Sequence, residues 1–138
     1  MDPVIQQDPT GCGIACVSML AGVSYSAAKA AAESLGIRID DPALWSDTVH
    51  VRRLLRHFGI RAAAEETPFA SWEALPETAL LATKWHLDKG VPHWHWTVFV
   101  DHAGRPEVFD PKAALINHRR TDFGRIRPRW FIAIESQP

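Results

Sequence analysis

Apolar residues recur with a helical period up to Gly59 and with a strand period beyond it. The nearly apolar run from Cys12 to about Ala21 predicts a helix, with Thr10 near its cap and Gly22 as its stop. Ser24 is a good N-cap for a second helix, which runs through Ala27, Ala28, Ala30, Ala31, Ala32 and Leu35 to Gly36. Its small side chains suit close approach to a neighbour. Ile37 to Ser46, with Asp40-Asp41-Pro42, reads as a loop. Val51, Leu54, Leu55 and Phe58 lie at i, i+3, i+4 and i+7 of a third helix that stops at Gly59. Arg52, Arg53 and Arg56 fall on its outer, solvated side.

Past Gly59 the period shortens. Ile60 to Ala64 reads as a short strand, and Ala79 to Thr83 as a strand buried on both faces. Trp94, Trp96, Val98 and Val100 alternate with His93, His95, Thr97 and Phe99, which predicts a strand with the tryptophan side toward the core. Glu107 to Asp110 reads as its partner, and Arg129 to Glu135 as a final strand. Helices first and a mostly antiparallel sheet afterwards is the α+β pattern. The 138 residues fit a single domain, 1–138, with no internal repeat and no linker.

Charge and composition narrow the function. A net charge of −1 and a pI near 6.6 give no electrostatic case for nucleic acid or an anionic membrane. The longest nearly apolar run, Ile14 to Val23, contains Ser18 and Gly22 and is far short of the ~20 residues of a membrane span. Asp2 and Asp8, with no early Lys or Arg, do not resemble a secretory signal. Two cysteines make no disulfide framework, so a reducing, cytoplasmic setting is expected. No cofactor is called for, and oligomeric state is not legible.

The candidate chemistry is that of a thiol hydrolase. Cys12 would sit in the first turn of a helix, where unpaired N–H groups favour thiolate over thiol. Gly11 and Gly13 flank it without side chains and leave room for a substrate carbonyl. The alternative is a small buried hydrophobe, the reading that suits Cys16 one turn deeper. Gln6 and Gln7 are both of the type that could donate an N–H to a developing oxyanion. His93 and His95 share one side of their strand, and either is a natural base for the thiol. The base needs an orienting carboxylate. Asp101 is too far along the same strand from His95, and Asp110 on the next strand is better placed.

Whether Asp110 reaches His95 depends on the turn. Asp101-His102-Ala103-Gly104 reads as a type I turn. If Asp101 pairs with Gly104, His95 faces Asp110. If Asp101 pairs with Arg105, Asp110 turns to the Trp96 side instead, because a one-residue slip reverses every side chain. Pro106 reads as a possible bulge. A zinc site from Cys12, Cys16, His93 and His95 has suitable ligand types but lacks the short spacings of structural sites. The six tryptophans (Trp45, Trp72, Trp85, Trp94, Trp96, Trp130) read mostly as core; Trp94 or Trp96 could wall a groove, and an interaction module built on them is a further alternative.

Gln6…Cys12-Gly13-Ile14-Ala15, then His95-Trp96-Thr97-Val98, then Asp110-Pro111, resembles the papain-like cysteine peptidases, and among them the bacteriocin-processing (double-glycine leader) peptidases and their free-standing relatives. Leu54-Leu55-Arg56-His57-Phe58-Gly59-Ile60 and Leu75-Pro76 are similar to the middle of that family, so the likeness spans most of the chain. The resemblance implies a papain-like fold with Cys12 as nucleophile, His95 as general base and acid, Asp110 as orienter and Gln6 as oxyanion donor. It implies acyl transfer to sulfur, hydrolysis of the thioester, and a peptide or protein as substrate. Many relatives carry an acidic residue where Gly11 stands, and His93 is an additional imidazole. No exporter segment or ATPase domain accompanies these residues. A leader peptide, another peptide, an isopeptide or a small amide are therefore all open as substrates, as is acyl transfer. A catalytically degenerate peptide-binding domain of the same fold is the main alternative.

Overall fold

The computed structural model describes residues 1–135. Its elements run α1 (Cys12–Ala21), α2 (Tyr25–Ser34), α3 (Ala43–Ser46), α4 (Val49–His57), β1 (Thr67–Pro68), β2 (Thr78–Asp88), β3 (Val91–His102), β4 (Arg105–Phe109), β5 (Arg119–Arg120), a 3₁₀ turn (Phe123–Arg125) and β6 (Pro128–Ala133). The strands form one antiparallel sheet in the order β1-β6-β2-β3-β4-β5. No single helix among the described residues is long and apolar enough to cross a membrane.

The first two helices follow their local signals. Gly22, at φ 70°, closes α1 with its N–H on the Ser18 and Met19 carbonyls. The Ser24 side chain accepts from Ala27 N–H to start α2. The stretch read as a loop contains α3, whose Asp41 carboxylate accepts from Ala43 N–H and whose Leu44 is buried. Four residues are too few to display a period. Ile60 to Ala64 supplies only a single bridge, Ala62 to Ile134, rather than a strand.

The sheet is buried on both faces near its centre. Leu80, Ala82, Trp94, Trp96, Val98 and Ile132 meet the helices. Ala79, Leu81, Phe99, Val108 and Phe131 form a smaller core under Trp72, Phe123 and Ile126. Trp96, Trp94 and Trp130 meet edge to face with centroids 4.9–5.6 Å apart. They are packing residues, although Trp94 also borders a shallow pocket with Trp85 and Trp130.

The β3–β4 turn differs from the one read in sequence. His102 pairs with Arg105, and the two-residue loop Ala103-Gly104 has φ of 54° and 79°, the I′ pattern that matches strand twist. Asp101 pairs with Pro106, and no bulge interrupts the ladder. Asp101 gives its own N–H to Glu77 on the other side, so the missing donor of Pro106 goes unmissed. Paired residue numbers therefore sum to 207. This has the same parity as the register in which Asp110 shares a face with His95, so Phe109, opposite Val98, lies on the tryptophan side and Asp110 after it turns to the His95 side.

Candidate active site

The approach to α1 is a tight turn, with Gly11 N–H donating to the Asp8 carbonyl at 3.0 Å. A Cβ on Gly11 would lie 2.0 Å from the Tyr25 hydroxyl oxygen, so only glycine fits. That hydroxyl donates to Asp8 Oδ2 at 2.6 Å, and Lys29 Nζ lies 3.2 Å from the same oxygen. An acidic group thus does sit beside the helix start, supplied by Asp8 rather than by position 11. The Tyr25 hydrogen bond, aided by Lys29, holds the Asp8 carboxyl below its ordinary range. Gly13 is equally constrained, since a Cβ there would meet Val51 at 2.8 Å and Trp96 at 3.1 Å. The missing side chain seats α1 on β3.

That seating brings the Cys12 thiol, 4% exposed, beside the His95 ring, close enough to bear on its protonation. His95 Nε2 lies 2.7 Å from Asp110 Oδ1. With Nε2 engaged, Nδ1 is the ring nitrogen left for the sulfur. Asp110 is fully enclosed, and each of its oxygens has a donor. Oδ1 also accepts from Lys112 N–H at 3.0 Å, and Oδ2 accepts from Arg120 Nη1 at 2.9 Å. The main chain at Asp110 is fixed by its N–H to His118 O at 2.9 Å and by His118 Nδ1–H to its carbonyl at 2.8 Å.

These contacts set the proton affinities. Burial alone would push His95 down, but its bonds to Asp110 and Cys12 outweigh burial and raise it from 6.5 to about 9. Burial would push Asp110 up, but His95, the Lys112 N–H and Arg120 lower it from 3.8 to about 2. A raised His95 contributes stability that is complete below 6.5 and lost as pH climbs through about 9. A lowered Asp110 contributes stability that is present above 3.8 and lost as pH falls through about 2. Thermal melts should therefore show a plateau at mildly acid pH and a decline toward pH 9. His95→Ala should flatten the alkaline decline, and a Tm that rose between neutral pH and pH 9 in the parent chain would contradict the assignment.

The other sequence candidates separate clearly. Gln6 is half-buried and Gln7 exposed. The Gln6 main-chain N–H donates to Pro111 O at 2.9 Å, which ties the N-terminal strap to the residue after Asp110. Its side-chain NH₂ donates to the carbonyls of Asp8 (3.0 Å) and Pro9 (3.3 Å), and Oε1 is buried without a partner. His93 is engaged elsewhere. It accepts at Nδ1 from the Trp45 indole and stacks on His86. Cys16 is completely buried, and burial with the nearby Cys12 and Asp110 charges pushes its thiol well above the ordinary range. Both cysteines are free. Among the described residues no three His, Cys, Asp or Glu side chains are gathered as a metal ion requires, so the zinc set is not assembled.

Arg120 is the residue that sequence reasoning missed. Its Nε and Nη2 donate to Asp122 Oδ1 and Oδ2 at 2.9 and 2.8 Å, while Nη1 reaches Asp110. The spacing Arg120-Thr121-Asp122 is visible in the sequence, but nothing there says which of Arg119 and Arg120 turns inward.

No family model matches the sequence, and no curated protein is significantly similar to it. By structure the chain is similar to a double glycine motif protease from an AMS/PCAT transporter, solved in complex with the leader peptide. The TM-score is 0.62 over 99% of this chain and 91% of that one, at 14% sequence identity. Helices packed on one antiparallel sheet are thus the papain-like cysteine proteinase fold, which the double glycine motif protease also carries.

Proposed function

We propose that this protein is a thiol-dependent hydrolase, a cysteine peptidase or amidase, working through Cys12, His95, Asp110 and Gln6. The observation that carries the reading is the bond of His95 Nε2 to the buried Asp110 carboxylate at 2.7 Å, with the Cys12 thiol beside the same ring. In this reading His95 Nδ1 takes the thiol proton and the sulfur attacks the acyl carbon. The Gln6 NH₂ and the Cys12 N–H receive the oxyanion. His95 returns its proton to the departing amine, leaving a thioester. Water then attacks the thioester carbon while His95 removes its proton, and the acid departs as the thiol re-forms. Asp110 keeps Nε2 protonated, so that Nδ1 is the nitrogen exchanging protons with sulfur. The substrate class is a peptide or protein, in keeping with the structural neighbour, which was solved with a leader peptide. A reducing, cytoplasmic setting suits the two free thiols.

A second reading, a peptide-binding domain without turnover, is favoured by one feature. In the resting arrangement the Gln6 amide gives its hydrogens to the Asp8 and Pro9 carbonyls. To serve an oxyanion, it must release one of them. Iodoacetamide separates the two readings. The hydrolase reading expects Cys12 to be alkylated rapidly at neutral pH, and His95→Ala to slow this about tenfold or more, because an unassisted thiol is only a few per cent ionised there. Labelling confined to pH above about 8.5, as for an ordinary thiol, would leave only the binding reading.

A further inference from the structure

We infer that Arg120 is a positioning residue for the proposed hydrolysis: it fixes the plane and preserves the charge of the Asp110 carboxylate, and Asp122 in turn fixes Arg120. This rests on the reading of Cys12, His95 and Asp110 as a working triad. Three observations carry it. The Arg120–Asp110 pair is enclosed, at 12% and 0% side-chain exposure, unlike the solvated pairs that contribute little. The pairing divides the carboxylate by function: Oδ1 serves His95 and the Lys112 N–H, and Oδ2 has Arg120 as its hydrogen-bond donor. Finally, the Nε and Nη2 edge of the guanidinium is held by both oxygens of Asp122, so Nη1 is aimed without a rotational choice.

The strand that delivers this side chain is only two residues long. β5 pairs Arg120 with Val108 and Arg119 with Phe109, directly beside the residue preceding Asp110. The short strand thus places a fixed cation behind the orienting acid. Without it, Asp110 would be an enclosed carboxylate with one oxygen lacking a donor, free to twist about its terminal torsion and inclined to take up a proton. Either change loosens the hold on His95 Nε2–H. Lysine cannot replace it fully, because one ammonium does not reproduce the planar fork that bridges two carboxylates.

The test compares the full chain with Arg120→Lys, Arg120→Gln and Asp122→Asn. Asp122 is 45% exposed at its side chain, so its amide variant leaves the core untouched. The iodoacetamide rate of Cys12 at neutral pH is expected to fall about tenfold or more in Arg120→Gln, the scale on which second-layer partners act. The loss should be smaller in Arg120→Lys, and in the same direction in Asp122→Asn. The NMR signal of the His95 Nε2 proton should shift or broaden in these variants, while the Trp96 indole N–H, donated to Leu44 O at 2.9 Å, stays in place as a marker of the fold. If Arg120→Gln loses the Trp96 marker and so fails to fold, Asp122→Asn and Arg120→Lys decide. Folded variants with the parent rate and an unmoved His95 signal overturn the inference. A parent chain whose Cys12 reacts like a free thiol, or no faster than His95→Ala, instead removes the hydrolase reading and this inference with it; that result is seen without any Arg120 variant.

Discussion

Asp110→Asn is expected to cost about 3–5 kcal/mol of folding stability, the scale of breaking a buried ion pair from one side, and to abolish the rapid alkylation of Cys12 that the proposed hydrolase reading expects. The reason is a donor count. Asp110 faces His95 Nε2–H and the Lys112 N–H on one oxygen and Arg120 Nη1–H on the other. All three are donors. Asparagine offers one acceptor oxygen and an NH₂ group, so in either orientation at least one enclosed donor confronts another donor. If the amide oxygen turns to His95, the Arg120 Nη1–H meets an NH₂ group and Arg120 keeps only Asp122 as its counter-charge. If it turns to Arg120, the imidazole loses its acceptor and its tautomer is no longer fixed. Urea unfolding at neutral pH measures the first effect and iodoacetamide kinetics the second. A variant within about 1 kcal/mol of the parent, the net scale of one ordinary hydrogen bond, would show that the pair does not hold the fold as described.

Trp96→Ala is the second large effect, about 3–5 kcal/mol, as for other buried aromatic truncations. Trp96 is fully buried, meets Trp94 and Trp130 edge to face, and lies where a Cβ on Gly13 would touch it. Its indole N–H also caps the Leu44 carbonyl of α3 at 2.9 Å. Trp96→Phe separates these contributions, because it keeps an aromatic ring and loses the bond, which is expected to cost about 1 kcal/mol beyond the lost volume. Equal losses in the two variants, read by chemical denaturation, would mean that the hydrogen bond rather than the packing carries the cost. Since whole domains are stable by only ~5–15 kcal/mol, the alanine variant is expected to be near the threshold of folding.

Much of this architecture is written locally. Ser24 and Gly22 mark their helix ends because each satisfies orphan backbone groups by itself. The alternation around Trp94 and Trp96 identifies the core face of β3 because side-chain direction has a period of two. Cys12, His95 and Asp110 stand in the sequence as an ordered set of chemistry-bearing types, and the fold places His95 Nε2 2.7 Å from Asp110 Oδ1. What could not be read depended on partners distant in sequence. Ala103-Gly104 forms a two-residue turn although Asp101 and Gly104 suit a four-residue type I turn, because long pairing along β3 and β4 outweighs local turn preference. β5 is two residues long and has no period to detect. The requirement for glycine at position 11 comes from Tyr25, on the next helix. Arg120 looks like any surface arginine until the fold closes over it.

The bond from Gln6 N–H to the Pro111 carbonyl joins positions about a hundred residues apart. Closing so long a loop costs entropy, which is offset once the segments between its ends have folded against one another. A nascent or half-collapsed polypeptide would therefore hold its sulfur far from any ring nitrogen, no more aggressive than a free amino acid in solution. If Cys12 acts as proposed, its reactivity would then arrive together with completed topology, and an immature chain would be spared modifying itself or its neighbours.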